Sequence, residues 1–476
     1  MNLAEHGRTA ATPDTTMLRP TNVRFLVLAW LCGAMALAYV SRNAIAVAES
    51  TVRTDLGISK QQSGWLMSSF FLSYALCQIP MAQFGQRIGA RRALPFFAVA
   101  WSVATLLTAF VAGLWALIAT RAAQGITQAG LIPACTLSVS KWFPKTGQAF
   151  ATGSLGSFMS AGGAVGAWLT GWLLEWLLPH TGPGWNWRLV FLGFALPGFL
   201  WAAAFWFWFR DEPRGHKSVN EAEAALIEGT FTSDTASRRA SASGPAQSSS
   251  TQRRAGSETG APSTTPWLGL FSSPALWWIC GQQMFRGAGY MFFTSWFATY
   301  LQETRGVSIA RSGFLNMLPL LAVVVGGMAG GAFSDWLLKR TGSRRIARQS
   351  MGGLCLFTCA LLIFWAMFIG DTLTAVLVIS LGSFFAAMAA PCAYTITIDM
   401  GGAQVPTVNA TMNMMGNLGA WAFPIVVPWL LARFGSWDAV LLVFGGCYVA
   451  GALFWFLLKP EGTILDQSLA RKKLPT

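Results

Sequence analysis

Charge is scarce in this chain. Of its 476 residues only 11% are Asp, Glu, Lys or Arg, and acids are the scarcer sign, 19 against 33 bases. Soluble globular domains carry about 25% charged residues. With 54% of the chain hydrophobic, water is excluded as its main solvent. Histidine is scarcer still. His6, His180 and His216 fall in tails or loops, so no nucleophile, base and orienter can be assembled, and an enzyme is the least expected class. The eight cysteines, Cys32, Cys77, Cys135, Cys280, Cys355, Cys359, Cys392 and Cys447, all sit inside apolar runs. They lack the spacing and loop setting of a disulfide or zinc framework and read as small apolar fillers. Neither a metal site nor a nucleotide loop is present, and no cofactor is expected. The first twenty residues are polar and lack the apolar core and cleavage pattern of a secretory signal, so the first apolar run is expected to stay in the protein.

Long apolar runs are what the chain does have. Stretches of about 18 residues or more, enough to cross a hydrocarbon core, recur from Phe25 to Leu458. They predict an all-α integral membrane protein with spans near 25–47, 62–84, 93–112, 114–139, 149–178 and 188–209. Six more follow near 275–301, 313–338, 349–369, 373–398, 405–432 and 438–458. Arg8, Arg19 and Arg24, then Arg87, Arg91 and Arg92, Lys141 and Lys145, Lys339 through Arg348, and Arg471 to Lys473 all fall on one side of this count. The positive-inside rule then puts both termini in the cytoplasm of a multi-pass protein of the cell membrane, inner or plasma. Topology accounts for the net charge of +14 better than a nucleic acid partner does.

The expected division is a tail at 1–24, a six-helix half at 25–209, a cytoplasmic linker at 210–270, a second six-helix half at 271–458 and a tail at 459–476. The linker is charged and rich in Ser, Thr, Ala and Gly, a composition that buries too little apolar area to fold. Its pairs Arg238-Arg239 and Arg253-Arg254, ahead of Ser241 and Ser257, read as part of a solvated basic segment, with modification as the alternative. An internal repeat supports two halves. Arg87-Ile-Gly-Ala-Arg-Arg92 returns as Arg340-Thr-Gly-Ser-Arg-Arg345, each time in the loop after the second span of its half.

Inside the spans, polar residues line up at helical spacing. A charge at the bilayer centre costs at least about 2.5 to 3.5 kcal/mol, so Arg42, Arg121 and Arg286 must each face a cavity, a partner or a ligand. Arg121, Gln124, Gln128 and Cys135 follow spacings of three, four and seven and share one helix face. Gln282 or Gln283 with Arg286 and Tyr290 repeats the pattern in the seventh span, and Tyr39 and Arg42 stand in register with Glu49. Tyr74, Gln78, Tyr394, Asn409, Asn413 and Asn417 add neutral donors and acceptors. Guanidinium groups hold carboxylates through paired charge-assisted bonds, and amides and phenols suit hydroxyls. Together they predict a site for a hydroxylated carboxylate. Other readings stand beside this one. Arg121, and equally Arg42 and Arg286, could instead hold helices together through backbone carbonyls, and the asparagines of the eleventh span could be interhelical glue. The run Gly153, Gly156, Gly162, Gly163, Gly166 and Gly171 reads as close helix packing, and the tryptophans as an interfacial belt plus core filling.

The two Gly-Arg-Arg loops, with Phe333-Ser-Asp-Trp336, resemble those of the major facilitator superfamily, whose fold is two pseudo-symmetric six-helix halves. Tyr39-Val-Ser-Arg-Asn43, Gly64-Trp-Leu-Met-Ser-Ser-Phe-Phe71 leading to Tyr74 and Gln78-Ile-Pro80, Arg121 to Gly125, Trp142-Phe-Pro144 and Trp296-Phe-Ala-Thr-Tyr-Leu301 are similar to its anion:cation symporter branch. That branch includes bacterial sugar-acid transporters, sialic acid exporters and vesicular glutamate transporters. The resemblance implies alternating-access secondary transport, with Arg42, Arg121 and Arg286 binding a small organic anion at the midplane. It also implies conformational loops carried by Arg87, Arg91, Asp335 and Arg340. It departs from the family where Gln86 replaces the loop aspartate of the first half. Sugar-acid relatives carry proton-binding acids at the positions of Ser41 and Gln128, and neither residue here titrates near neutral pH. Glu49 and Asp399 are the remaining coupling candidates, with no coupling role as the alternative for each. Expected partners are the anion, a coupling proton or sodium ion and the bilayer, with no nucleic acid, and the protein is expected to be a monomer. Anion exchange and potential-assisted export remain open as mechanisms. A sugar-acid sensor and a multidrug exporter of the same fold are the competing functions.

Overall fold

A computed structural model describes residues 20–228, 267–401 and 405–466. The Arg-Arg pairs of the linker and the basic groups at both termini, apart from Arg24, lie outside the described residues. The first half comprises α1 (Val23–Leu56), α2 (Lys60–Ile88), α3 (Ala90–Thr108), α4 (Leu114–Gln128), α5 (Leu131–Trp142), α6 (Lys145–Thr181) and α7 (Trp185–Trp208). After α8 (residues 221–228) and α9 (Trp267–Phe271) come α10 (Pro274–Ser295), α11 (Phe297–Arg305), α12 (Ile309–Thr341), α13 (Met351–Ala366), α14 (Thr372–Gly401), α15 (Val405–Phe434) and α16 (Trp437–Leu457). Among the described residues eight helices are each long and apolar enough to cross a membrane. The other four spans are α3, the glycine-rich α6 and two interrupted helices, α4 with α5 and α10 with α11.

Local sequence sets the boundaries. Gly57 and Gly342 end α1 and α12 in left-handed backbone, where a residue without Cβ carries no steric penalty. Ser59 and Gln62 form a reciprocal capping box at the start of α2. The fourth span breaks at Gly130, where a Cβ would lie 2.3 Å from the Phe97 ring.

The two halves meet along α2 with α15 and α6 with α12. These are the second and fifth spans of one half against the fifth and second of the other, as pseudo-two-fold symmetry requires. The glycines of α6 divide. Gly162 and Gly166 lie against the backbone of Ala36 and Val40 in α1, Gly163 against Asn43, and Gly171 against Ile309 of the other half, while a Cβ at Gly153 or Gly156 would meet open space. Close packing therefore accounts for only the later glycines.

Hydrogen bonds and ion pairs between the described residues of the two halves all lie at the end remote from the chain termini. Glu49 accepts from Thr299 at 2.9 Å, Gln302 from Ser50 at 2.7 Å, and Glu175 from the backbone of Ala310 at 2.7 Å. Glu303 pairs with Lys60 at 2.6 Å and Arg53 at 3.3 Å, and Ser68 donates to the Trp421 carbonyl. The bundle is pinned at this end.

The linker differs from its expectation. Residues 210–228 fold back on the first half instead of running free. Glu223, with no exposed surface, accepts from Thr21 at 2.6 Å, from the backbone of Val23 and Arg24 at 3.1 Å each, and from the Arg24 guanidinium at 3.1 Å. It thereby supplies the cap that Asn22 does not give α1. His216 sits edge-on to Trp142 and Trp208, and Asp211 accepts from the backbone of Arg91 at the start of α3. Composition misses this because a few buried contacts, not mean hydropathy, dock the segment.

Candidate functional site

Arg42 sits midway along α1, half-buried. Four rings surround its guanidinium carbon: Phe70 at 4.4 Å, Tyr39 at 4.8 Å, Phe71 at 4.8 Å and Tyr74 at 5.4 Å. Tyr39 lies one turn back on the same helix, and Phe70 and Tyr74 share a face of α2 at a spacing of four. Among the described residues the Arg42 side chain has no hydrogen bond and no acidic partner.

Arg121 is buried, and its donors are engaged. It donates to Gln124, its neighbour three residues on, and to the Arg42 carbonyl at 3.2 Å. Gln124 in turn donates to Ser41 at 3.3 Å and Thr105 at 3.1 Å, and Gln128 to the Ala38 carbonyl at 3.2 Å. The polar face of α4 thus binds α1. Arg121 does hold helices together through a backbone carbonyl, and the two glutamine amides turn toward α1 as interhelical bonds. Among the described residues the buried Arg121 Nε has no hydrogen-bond partner.

In the second half Arg286 presents Nε and Nη2 to the Gln283 amide oxygen, 3.1 Å each. Asn409, Asn413 and Asn417 form a ladder along α15: Asn413 donates to Asn409 and Asn417 to the Asn413 carbonyl. Tyr394 and Thr397 of α14 tie into it. Tyr394 stays 40% exposed while bonded to Asn413. Gln78 is half-buried and makes no hydrogen bond among the described residues.

The two halves converge through phenols. Tyr290 lies within electrostatic reach of Tyr39, Arg42 and Arg286, and Tyr74 within reach of Tyr39, Arg42 and Tyr394. The structure thus brings together three guanidinium groups and four tyrosines. Among the described residues no carboxylate pairs with Arg42, Arg121 or Arg286.

Both coupling candidates lie elsewhere. Glu49 is 2% exposed at the pinned end, paired with Arg53 at 2.9 Å, so it is more deeply buried than its place near a helix end suggests. Asp399 lies 3.8 Å from Arg348, which also pairs with Asp335 at 3.1 Å and bonds Ser334. Of the loop residues, Arg87 is exposed, Arg91 has its backbone held by Asp211, and Arg340 lies 5.5 Å over Trp336. Where Gln86 replaces the loop aspartate, Asp211 supplies a carboxylate to the start of α3 instead. Sequence reasoning passed over Asp211 and Glu303, and it placed Phe70, Phe71 and Arg348 only in a motif or a basic cluster without giving them a part in the site. For Phe70 the spacing of four to Tyr74 carries the signal.

A family model described as the Major Facilitator Superfamily matches residues 31–383 and again 336–475. A probable sulfoacetate transporter of Cupriavidus necator is 28% identical over 448 residues, 94% of this chain and 96% of that protein. A D-galactonate transporter of Escherichia coli is 28% identical over 449 residues, 92% and 96%. A hexuronate transporter of Bacillus subtilis is 24% identical over 430 residues, 90% and 92%. Among solved structures, a bacterial homolog of the human lysosomal transporter Spinster superposes with a TM-score of 0.69 at 18% identity, over 96% of this chain and 100% of that one. The twelve-span, two-half architecture, the repeated loops and the length of these matches agree. The chain is a multi-pass membrane protein and belongs to the Major Facilitator Superfamily.

Proposed function

We propose that the protein is a secondary transporter of a small organic anion, a hydroxylated carboxylate such as a sugar acid. It works by alternating access in a cell membrane with both termini in the cytoplasm. The observation that carries this reading is Arg42: a charge midway through a span, ringed by aromatics, with no acceptor for its N–H donors among the described residues. Such a charge is costly without a partner, and a carboxylate is the ligand its fork fits. Arg286 from the other half and the exposed Tyr394 offer further donors, and the names of the sulfoacetate, galactonate and hexuronate relatives support an organic anion. A multidrug exporter would be expected to carry acids in its cavity that attract cations, and the cluster offers none. With the termini cytoplasmic, the pinned end is the outer one.

The driving force follows from what the cluster lacks. A membrane potential, inside negative, opposes anion entry by about 2.3 kcal/mol per charge per 100 mV. Ser41 and Gln128 carry no transferable proton, so uptake needs another cation site, an exchanged anion or a steep gradient. Counterflow in proteoliposomes with hexonates, hexarates, uronates, sulfoacetate and amino acids, under imposed pH, sodium and voltage gradients, tests cargo and energy source together. Arg42→Ala is expected to abolish flux while the protein stays monodisperse. Unchanged flux in that variant would sink the anion-site assignment, and ligand binding without flux would favour a sensor.

A further inference from the structure

Among the described residues, the Phe70 ring lies against the guanidinium groups of both Arg42 and Arg121. Its ring centroid lies 4.4 Å from the Arg42 guanidinium carbon and 5.1 Å from that of Arg121, and the ring has no exposed surface. Two neighbouring rings pack against it. It stacks on Tyr74 with centroids 5.9 Å apart and meets Phe71 edge-on at 5.2 Å. At the backbone of the same residue α4 closes directly onto α2, since a Cβ at Gly125 would fall 2.4 Å from the Phe70 carbonyl.

The position poses an electrostatic problem. The bond from Arg121 to the Arg42 carbonyl draws two like charges together, and repulsion between like charges grows as the surroundings exclude water. Proteins commonly settle such a pair with a carboxylate, but a carboxylate would occupy the N–H donors that an anionic ligand needs. An aromatic face attracts cations through its quadrupole and leaves those donors free.

We propose that Phe70 is a positioning residue of the anion site, serving as a shared uncharged counter-partner that holds Arg42 and Arg121 side by side while leaving the Arg42 donors open to ligand. Phe71 and the two tyrosines complete the cage. The inference rests on the anion-transport reading and extends it to a residue that donates no bond to the ligand.

Two kinds of change at this position separate electrostatics from packing. Phe70→Leu keeps an apolar filler but removes the quadrupole. Phenylalanines carrying one, two or three ring fluorines, introduced at position 70 by nonsense suppression, keep shape and progressively weaken it. The probes are D-galactonate and sulfoacetate, followed by counterflow in proteoliposomes and by ligand-induced thermal stabilisation of the purified full-length protein. The expected result is a KM that rises stepwise with fluorination and about tenfold in Phe70→Leu, with Vmax and the unliganded melting temperature of the fluorinated proteins unchanged. A KM that stays level across the fluorine series, in a protein whose Arg42→Ala variant no longer binds, overturns the role of Phe70 alone. Wild-type protein that binds neither probe nor any other anion of the panel overturns the anion reading and this inference with it.

Discussion

Thr299 of the second half donates its hydroxyl to Glu49 of the first across 2.9 Å, beside the Arg53–Glu303–Lys60 chain of ion pairs. If the protein works by the proposed alternating access, these contacts exist only while that end of the bundle is closed. Each is worth about 1 kcal/mol, so losing one shifts the population of a two-state bundle roughly fivefold. Thr299→Val and Glu303→Gln are expected to favour the state opened at this end. Spin labels on Thr54→Cys and Thr304→Cys, both exposed positions on opposite halves, should report a longer mean separation in either variant. An unchanged distance distribution in both would remove these contacts from the gate.

Gly171 carries a second test of the same closure. A Cβ there would sit 2.7 Å from the Ile309 carbonyl and 3.1 Å from the Ala310 Cα, across the seam between halves, where backbone cannot give way cheaply. Gly171→Val should therefore obstruct closing without disturbing either half. The expected outcome is a longer separation between the same spin labels and slowed flux, at an unchanged yield of folded protein. Gly153→Val, at a position that meets nothing, is the control and should behave as wild type.

Arg348 is nearly buried and serves two acids, Asp335 at 3.1 Å and Asp399 at 3.8 Å. Removing it strands Asp399, whose Oδ2 already has no hydrogen bond. Arg348→Ala is expected to cost about 2 kcal/mol, visible as a lowered melting temperature in detergent. Asp399→Asn in the same background should recover part of that loss.

The folded linker segment is expected to loosen in acid. Burial against Trp142 and Trp208, reinforced by the nearby Arg210 charge, lowers the His216 pKa from 6.5. A histidine held neutral in the docked state takes up its proton more readily when released. Its penalty is therefore absent at neutral pH and grows as pH falls below about 6.5. Limited proteolysis within 210–228 should accelerate between pH 7.5 and pH 5.5, and His216→Phe should abolish that dependence.

The spans, their number and the paired halves were legible in the sequence because apolar length is a local property that each helix writes for itself. The arginines were legible for the same reason, since a charge inside an apolar run needs no neighbour to be conspicuous. The partners of those charges were not. Gln124 and Gln128 fall on the expected face, yet which helix that face meets is a tertiary fact, and here it is α1. Phe70 hid among apolar residues because its role depends on two cations from different helices. Glu223 hid because a single buried carboxylate barely alters the composition of the segment that holds it.

That carboxylate bears on how the chain is made. The start of α1 leaves the ribosome first, but the group that satisfies its terminal amides is synthesised 200 or so residues later, after the sixth span. The first half can finish assembling only once residue 223 has emerged. A split gene that is to yield two complementing halves should accordingly break within 229–266, because a cut at 210 would leave the leading fragment with an uncapped first helix for the insertion and quality-control machinery to meet.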